Sequence, residues 1–394
     1  MPKGKKMKIL ITTEFYYPFQ CGVTTAVVNE IKALEQRGHE IRVLTIGEGR
    51  KSFWDEERKC WYIRSNFPKL YKDSYASLAI NDPILKSVEE WKPEIIHSQS
   101  EFFSFLFAST ISRRLSIPIV HTCHTDFVAY SIHFTSFTRV WCFFASLVVP
   151  FLIRKAKRLI CSTDKIYSLI QSYRINKPID RIMVGLDLDL FRRSFSIDER
   201  RSFRKQFGLS EDDVVFLSVS RLSQEKRVDE TIRLFSHILS SCPKAKLMVV
   251  GDGSLRGSLE KIVKDEGIEE SVIFTGEVES GEVWKYYRSG DIYIGSSLSE
   301  TQCLSYVEAM ASGMALLVKD DPVLNGYVLR GVNAMTFEAL DDFSLKAHQL
   351  YSSPSLRSSL GAKAAEDTEV FSLSFFGKML EKTFRKALDE GRNG

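Results

Sequence analysis

At 394 residues the chain is too long for one comfortable core and fits two domains of about 200 residues each. Its 44% hydrophobic and 26% charged residues are those of an ordinary globular protein, so no disordered or low-complexity tract is needed. The net charge of +4 hides an asymmetry: residues 1–195 hold 29 Lys/Arg against 19 Asp/Glu, and the remainder 25 against 31. A basic front half suits an anionic bilayer, nucleic acid or an acidic substrate, and charge alone does not choose among them. No nucleic-acid module is recognisable, which sets that partner aside.

The N-terminus carries Lys3, Lys5, Lys6 and Lys8 but only a short apolar run, Ile9–Ile11, far below a signal-peptide core. The seven cysteines (Cys21, Cys60, Cys123, Cys142, Cys161, Cys242, Cys303) are odd in number and scattered, with no C-x-x-C pair or zinc-like spacing. Reduced thiols and a cytoplasmic compartment are the expectation. Lys8–Thr13 reads as a buried parallel strand, and a loop with Tyr17, Pro18, Gln20 and Gly22 follows. The next helix has an apolar stripe of Val27, Val28, Ile31 and Leu34, a stop at Gly38, and then a strand at Ile41–Ile46. Gly22 is either a turn glycine or a place where a ligand approaches the backbone.

Further strands are predicted at Ile95–Gln99, Ile117–His121 and Leu159–Ser162, with helices between them. Such alternation means a parallel, doubly wound sheet whose ligands bind beyond the carboxyl ends of its strands. His97, His121 and His124 gather at such ends, in structural or functional roles. Val140–Ile153 is fourteen residues without a charge, bounded by Arg139 and by Arg154, Lys155, Lys157 and Arg158. It is too short to span a bilayer, which takes about 20 residues. It suits an in-plane membrane element or a buried core helix, or a share of each. Asp187-Leu-Asp189 mimics a D-x-D metal motif, but a motif so short recurs by chance, and no metal site is assigned. The polar stretch Ser194–Glu211 reads as a linker, dividing a first domain (1–193) from a second (194–370).

The second domain opens with a strand at Val214–Ser220, then Arg221 and Lys226 at a strand-to-helix turn. Two fixed positive charges there suit a departing nucleoside diphosphate, each charge-assisted contact being worth about 1.5–3 kcal/mol. Lys246–Val250 is a strand ending in Gly251-Asp252-Gly253; Val272–Gly276, Ile292–Ile294 and Ala315–Val318 continue the sheet, and Phe371–Glu390 is a long helix. Within Ser297–Gly313, Glu300 precedes a helix start and Glu308 lies on the helix, which Gly313 stops. A helix start offers unpaired amides and the positive end of its dipole, so a diphosphate can lie there with one carboxylate on a sugar hydroxyl and the other on a ribose hydroxyl.

That stretch resembles the S-E-T-x-G-x-x-x-x-E-A-M-A-x-G signature of retaining glycosyltransferases of family four, with Ser299, Glu300, Thr301, Glu308, Ala309, Met310, Ala311 and Gly313 matching. Cys303 stands where the family has glycine, and Ala315 where it usually has proline. If that position needs positive φ, its Cβ strains the loop. Arg221…Lys226 is similar to the family's S-R-L-x-x-x-K, and its G-D-G turn and G-[VI]-D-x-x-x-F segment recur at 251–253 and 185–191. Gly22–Val23, IIHSQSEF at 95–102 and HTCHTDFVAY at 121–130 look like the bacterial diacylglycerol glycosyltransferases of that family.

The resemblance implies a GT-B fold, two doubly wound Rossmann-like α/β domains facing a central cleft, with a C-terminal helix from 371 crossing back onto the first. It implies transfer of a hexose from a UDP-sugar, glucose first and galactose second, with retention, to diacylglycerol or its monoglycosyl form at the cytoplasmic membrane face. The donor is a substrate and no cofactor is implied. Catalytic positions are then Arg221, Lys226, Glu300 and His124, the histidine beside the sugar's 6-hydroxyl. The donor is bound by Gly22, Val23, Gly251, Gly253, Thr301, Cys303, Leu304, Ser305 and Glu308. Glu101 faces the acceptor, and Arg139, Trp141, Arg154, Lys155, Lys157 and Arg158 face the membrane. Two rival readings are a GDP-mannose or UDP-sugar transferase with a soluble or polysaccharide acceptor, and a nucleotide-sugar-binding protein without turnover.

Overall fold

The computed structural model describes residues 5–19, 21–67, 75–124, 147–298 and 301–392. The chain forms two units, one ending at Gly185 and taking in Leu373 onward, the other Leu186–Ser372. The changeover falls ahead of the expected 193/194 boundary because Leu186 donates its amide to the Phe371 carbonyl at 2.7 Å and bridges Ser372, while Phe191 meets the Tyr287 ring edge-on at 5.6 Å.

The first unit is built on strands β1 (Lys8–Thr12), β2 (Glu40–Ile46), β3 (Phe53–Asp55), β4 (Cys60–Ile63), β5 (Ile95–Ser98), β6 (Ile119–Cys123), β7 (Arg158–Cys161) and β8 (Ile179–Arg181), in sheet order β3-β4-β2-β1-β5-β6-β7-β8. All neighbours are parallel except the β3–β4 hairpin. Both faces are covered, which is why its strands read as unbroken apolar runs. Along β1, Leu10 enters one hydrophobic layer, and Ile9 and Ile11 enter the opposite one.

The opening helix Gly22–Gln36 and the C-terminal helix Leu373–Arg392 share the second of those layers. Gly377 lets them touch, since a Cβ there would stand 2.7 Å from the Ala33 carbonyl oxygen. Glu381 locks the crossing through Arg37 at 2.5 Å, with His39 Nε2 at 3.7 Å, and is itself held by Arg385 one turn along its own helix at 2.6 Å. Burial pushes the Glu381 carboxyl up, but the hydrogen bonds from Arg385 and Arg37 outweigh it and hold it below its ordinary range. Its stabilisation is therefore complete above the unfolded carboxyl's pKa of about 4.3 and is lost as pH falls through the depressed folded value. Glu381→Gln should cost about 1.5–3 kcal/mol at pH 7 and flatten the acid limb of stability, as read by thermal melts from pH 7 to 3.

The second unit is a six-stranded, all-parallel sheet of β9 (Val214–Val219), β10 (Ala245–Val250), β11 (Val272–Gly276), β12 (Ile292–Gly295), β13 (Ala315–Lys319) and β14 (Met335–Phe337), in order β11-β10-β9-β12-β13-β14. The chain leaves β9 to one side and returns to its other side with β12, so the topology switches between them. The expected linker contains a helix, Ile197–Lys205, opened by a capping box in which Ser196 and Glu199 bond reciprocally. Arg200 and Arg204 tie it to Asp291 at 2.8 and 3.1 Å, making it part of the unit.

Candidate functional site

In the second unit the loops after β9 and β12 lie side by side at the switch point. Ser297 Oγ donates to the Glu225 carbonyl at 3.1 Å, and Thr231 Oγ1 to Ser296 Oγ at 3.0 Å, so the two loops are joined directly. Beyond β9 the backbone continues as a strap against β10: the Ser220 amide bonds to the Val250 carbonyl and the Leu222 amide to the Asp252 carbonyl. Arg221 projects between these two bonds. A Cβ on Gly251 would stand 2.0 Å from the Ser220 carbonyl oxygen, and one on Gly253 would stand 2.3 Å from that of Leu222. Both glycines, expected at the donor, thus have a task inside the protein, which is to let the strap lie flat.

Lys226 ends the 3-10 turn Gln224–Lys226, and Arg221 Nη2 holds Glu225 Oε1 at 3.0 Å. Ser223 Oγ donates to that same oxygen at 2.6 Å. Burial raises the Glu225 carboxyl, yet the Ser223 and Arg221 contacts overcome it, and the group is held below its usual range. The result is a rigid cationic loop.

Across the switch, the helix Leu304–Ala311 begins at Cys303. Tyr306 and Val307 are its first residues whose amides reach back to the Cys303 carbonyl, so those of Leu304 and Ser305 precede its first internal bond. Cys303 has φ −84° and ψ 95°, extended backbone that any residue adopts, so the strain anticipated from replacing glycine is absent. Its Sγ is 3.3 Å from Ser305 Oγ. Thr301 is half-buried at the loop's end. Ser299 and Glu300 lie outside the described residues.

Glu308 accepts a 2.6 Å hydrogen bond from the Tyr287 hydroxyl, and burial raises its carboxyl against the lowering effect of that bond. Tyr293 donates 2.9 Å to Ser305 Oγ, and its ring stacks on Tyr287 at 6.1 Å. These tyrosines were missed from the sequence; a buried phenol needs a partner for its hydroxyl, and here two of them aim the helix's polar residues. At the helix's other end Gly313 (φ +74°) meets Gly361, where a Cβ would lie 2.0 Å from the Gly313 carbonyl oxygen.

In the first unit, the switch falls between β1 and β5. His97 on β5 and His121 on β6 are buried, and His124 is half-buried just beyond β6. His121 Nδ1 lies 3.2 Å from Ser98 Oγ, and its Nε2 lies 3.9 Å from Glu101 Oε1. Burial, with His124 and His97 adding to it, drives His121 down to about 3. Glu101 is pushed up to about 8 by burial and by the nearby Glu14 carboxyl, which is itself raised to about 7 by burial. Gly22 begins the opening helix with no positive φ, and a Cβ there would meet nothing within 4 Å among the described residues; Val23 follows, partly buried against the core.

Of the presumed membrane face, Arg139 and Trp141 lie outside the described residues, as does the Val140–Ile153 stretch up to 146. Residues 147–153 are helical and divide their apolar side chains: Val149 and Ile153 enter the core, whereas Leu147 and Phe151 are 59% and 65% exposed. Arg154 and Lys155 are exposed and Lys157 is half-buried. Arg158 is a correction: it is a buried β7 residue paired with Asp180 at 2.9 Å and with Glu390, a structural rivet to the C-terminal helix. Among the described residues, no helix is long and apolar enough to cross a membrane.

Two parallel-sheet units, one with a cationic loop beside a helix start at its switch point, define the doubly wound α/β class of protein. A family model described as Glycosyltransferase Family 4 matches residues 21–190, and one described as Glycosyl transferases group 1 matches residues 199–367. Alpha-monoglucosyldiacylglycerol synthase of Streptococcus pneumoniae is 28% identical over 327 residues, 82% of this chain and 73% of that one. The protein of the same name from Acholeplasma laidlawii is 24% identical over 400 residues, 98% of each. The crystal structure of Anabaena Alr3699/HepE in complex with UDP and glucose superposes with TM-score 0.77 at 17% identity, covering 96% of this chain and all of that one. The chain belongs to the family-four glycosyltransferases and has the GT-B fold, as its signature stretch led one to expect.

Proposed function

We propose that this glycosyltransferase moves a hexose from a UDP-sugar to a membrane lipid, with retention of anomeric configuration. Glucose is the first choice of sugar and galactose the second, and the acceptor is diacylglycerol or its monoglycosyl form. The observation that carries the reading is the switch point of the second unit, where Arg221 and Lys226 share a loop joined to the one that starts the helix Leu304–Ala311. Supporting it are the relatives named alpha-monoglucosyldiacylglycerol synthase.

Leaving-group charge is the main barrier. The cationic side chains and the helix amides meet the charge that develops as the sugar's anomeric carbon parts from the diphosphate oxygen. Glu308, steadied by Tyr287, takes a ribose hydroxyl, while Glu300 and His124 position the hexose. The departing diphosphate oxygen accepts the acceptor hydroxyl's proton on the face where the new C–O bond forms, so no resident cofactor is required. Exposed Leu147 and Phe151, with Arg154 and Lys155 beside them, suit peripheral contact with an anionic cytoplasmic membrane face.

The test offers UDP-glucose, UDP-galactose and GDP-mannose, radiolabelled in the sugar, with vesicles of diacylglycerol or glucosyl-diacylglycerol at varied anionic lipid content. Glycolipid from UDP-glucose, faster on anionic vesicles, is expected. Product only from GDP-mannose or only on soluble acceptors, or donor binding with no UDP release, refutes it.

Gly22 bears on the donor as well. Neither its backbone conformation nor any neighbour among the described residues requires glycine, which leaves room for a ligand as the reason. Gly22→Ala should therefore leave stability within about 0.5 kcal/mol of the parent, or slightly raise it, and lower kcat/KM for the donor about tenfold or more. Unchanged kinetics would remove Gly22 from the donor site.

A further inference from the structure

The opening helix turns Ala26, Val27, Ala33 and Leu34 inward, and Glu30 lies on the same face, fully buried. A carboxylate survives there only if its lone pairs are met. One oxygen lies 2.5 Å from His97 Nδ1, and the other receives the Gln99 side-chain amide. Because a carboxylate only accepts, Gln99 must give its NH2 to Glu30 and turn its carbonyl oxygen the other way. That oxygen meets His124 Nε2, and an amide oxygen also only accepts.

We propose that Glu30, acting through Gln99, fixes His124 as the Nε2–H tautomer, so that its Nδ1 is a hydrogen-bond acceptor for a substrate hydroxyl. Glu30 is thus a positioning residue: a buried carboxylate sets which way a ring just past the C-terminal end of β6 can bond, without touching substrate. The cavity around the chain is closed on one side by Phe376 and Leu380 of the C-terminal helix, apolar groups that offer no rival bond. His97 Nδ1, held by Glu30, also lies 3.1 Å from Gln99 Nε2, and the ring's Nε2 leads away from the chain to Thr122 Oγ1 at 2.7 Å. Burial, with His97 nearby, lowers His124 to about 4, so the ring is neutral near pH 7 and its single proton has one defined seat.

The consequence for the sugar rests on the proposed function, but the tautomer does not. The full chain labelled with 15N-histidine, its His124 signals assigned by loss in His124→Asn, reports the protonated nitrogen through two-bond proton–nitrogen correlations at pH 7. The parent should show His124 protonated at Nε2. Glu30→Gln has one accepting oxygen for two donors, so Gln99 is released to reverse and His124 should move to a mixture or to Nδ1–H. Gln99→Met should do the same while keeping the Glu30–His97 couple, which covers the case in which Glu30→Gln does not fold. Thr122→Val cuts only the other branch and should leave the His124 pattern unchanged. An Nδ1–H ring in the parent, a parent-like pattern in Gln99→Met, or an equal shift in Thr122→Val overturns the proposal. Glu30→Gln should also lower kcat about tenfold, the loss of one hydrogen bond, with UDP affinity unaltered. Tautomer shifts as expected with unchanged kcat would instead refute His124 as a sugar contact.

Discussion

Lys226→Ala is expected to lower kcat by about 10²–10³-fold while the protein stays folded. The side chain ends a 3-10 turn and is half-buried, outside the hydrophobic clusters, so its loss should change stability by no more than about 0.5 kcal/mol. Its proposed work lies in the transition state, where diphosphate charge develops beside a loop already held in place. Ser223 and Arg221 on Glu225, and Ser297 on the Glu225 carbonyl, survive the substitution. The positive field is therefore removed without moving its support, and the loss should fall on kcat more than on KM. Lys226→Arg, which keeps charge but not shape, should recover part of the rate. Initial rates with labelled UDP-glucose, paired with thermal melts, check this; full activity in Lys226→Ala would remove the residue from catalysis.

Gly251→Ala should destabilise the second unit strongly. The residue sits at φ +126°, where an L side chain is strained by about 1–3 kcal/mol, and its new Cβ would lie 2.0 Å from the Ser220 carbonyl oxygen, a backbone atom that cannot swing aside. Overpacking adds about 1–3 kcal/mol, so a loss of about 2–6 kcal/mol is expected, lowering the melting temperature by roughly 4–24 °C in a domain of this size. Whatever folds should also transfer sugar poorly, because relief of the clash moves the strap that carries Arg221. Gly22→Ala is the contrast: the same chemical change, with no neighbour to meet among the described residues and no positive φ, should separate activity from stability. A melting temperature for Gly251→Ala within about 2 °C of the parent would contradict the account of the strap.

The core strands of both sheets were legible because parallel strands covered on both faces become unbroken apolar runs, as in Ile9–Ile11 and Leu247–Val250. The β3–β4 hairpin, β8 and β14 were not, being short and polar or aromatic and lying at or next to the sheet edges. The helix inside the expected linker had a readable sign in Ser196 and Glu199, a capping box overridden by the charged composition around it. Glu30 carried a sign too, a carboxylate on the buried stripe of a helix.

By itself the sequence determined the alternation of strands and helices, the family signature around Glu308 and the placing of Arg221 and Lys226 after a buried strand, since each is a local pattern of period, spacing or residue type. Only the tertiary structure decided that Arg158 is a buried rivet rather than a membrane contact, that Cys303 sits unstrained at a helix start, and that Gly251 and Gly253 serve the strap. It alone joined Glu30 to His97, 67 positions away, and through Gln99 to His124. Which donor meets which acceptor inside a core depends on chain segments remote in sequence, and that information exists only once the sheet has set their register.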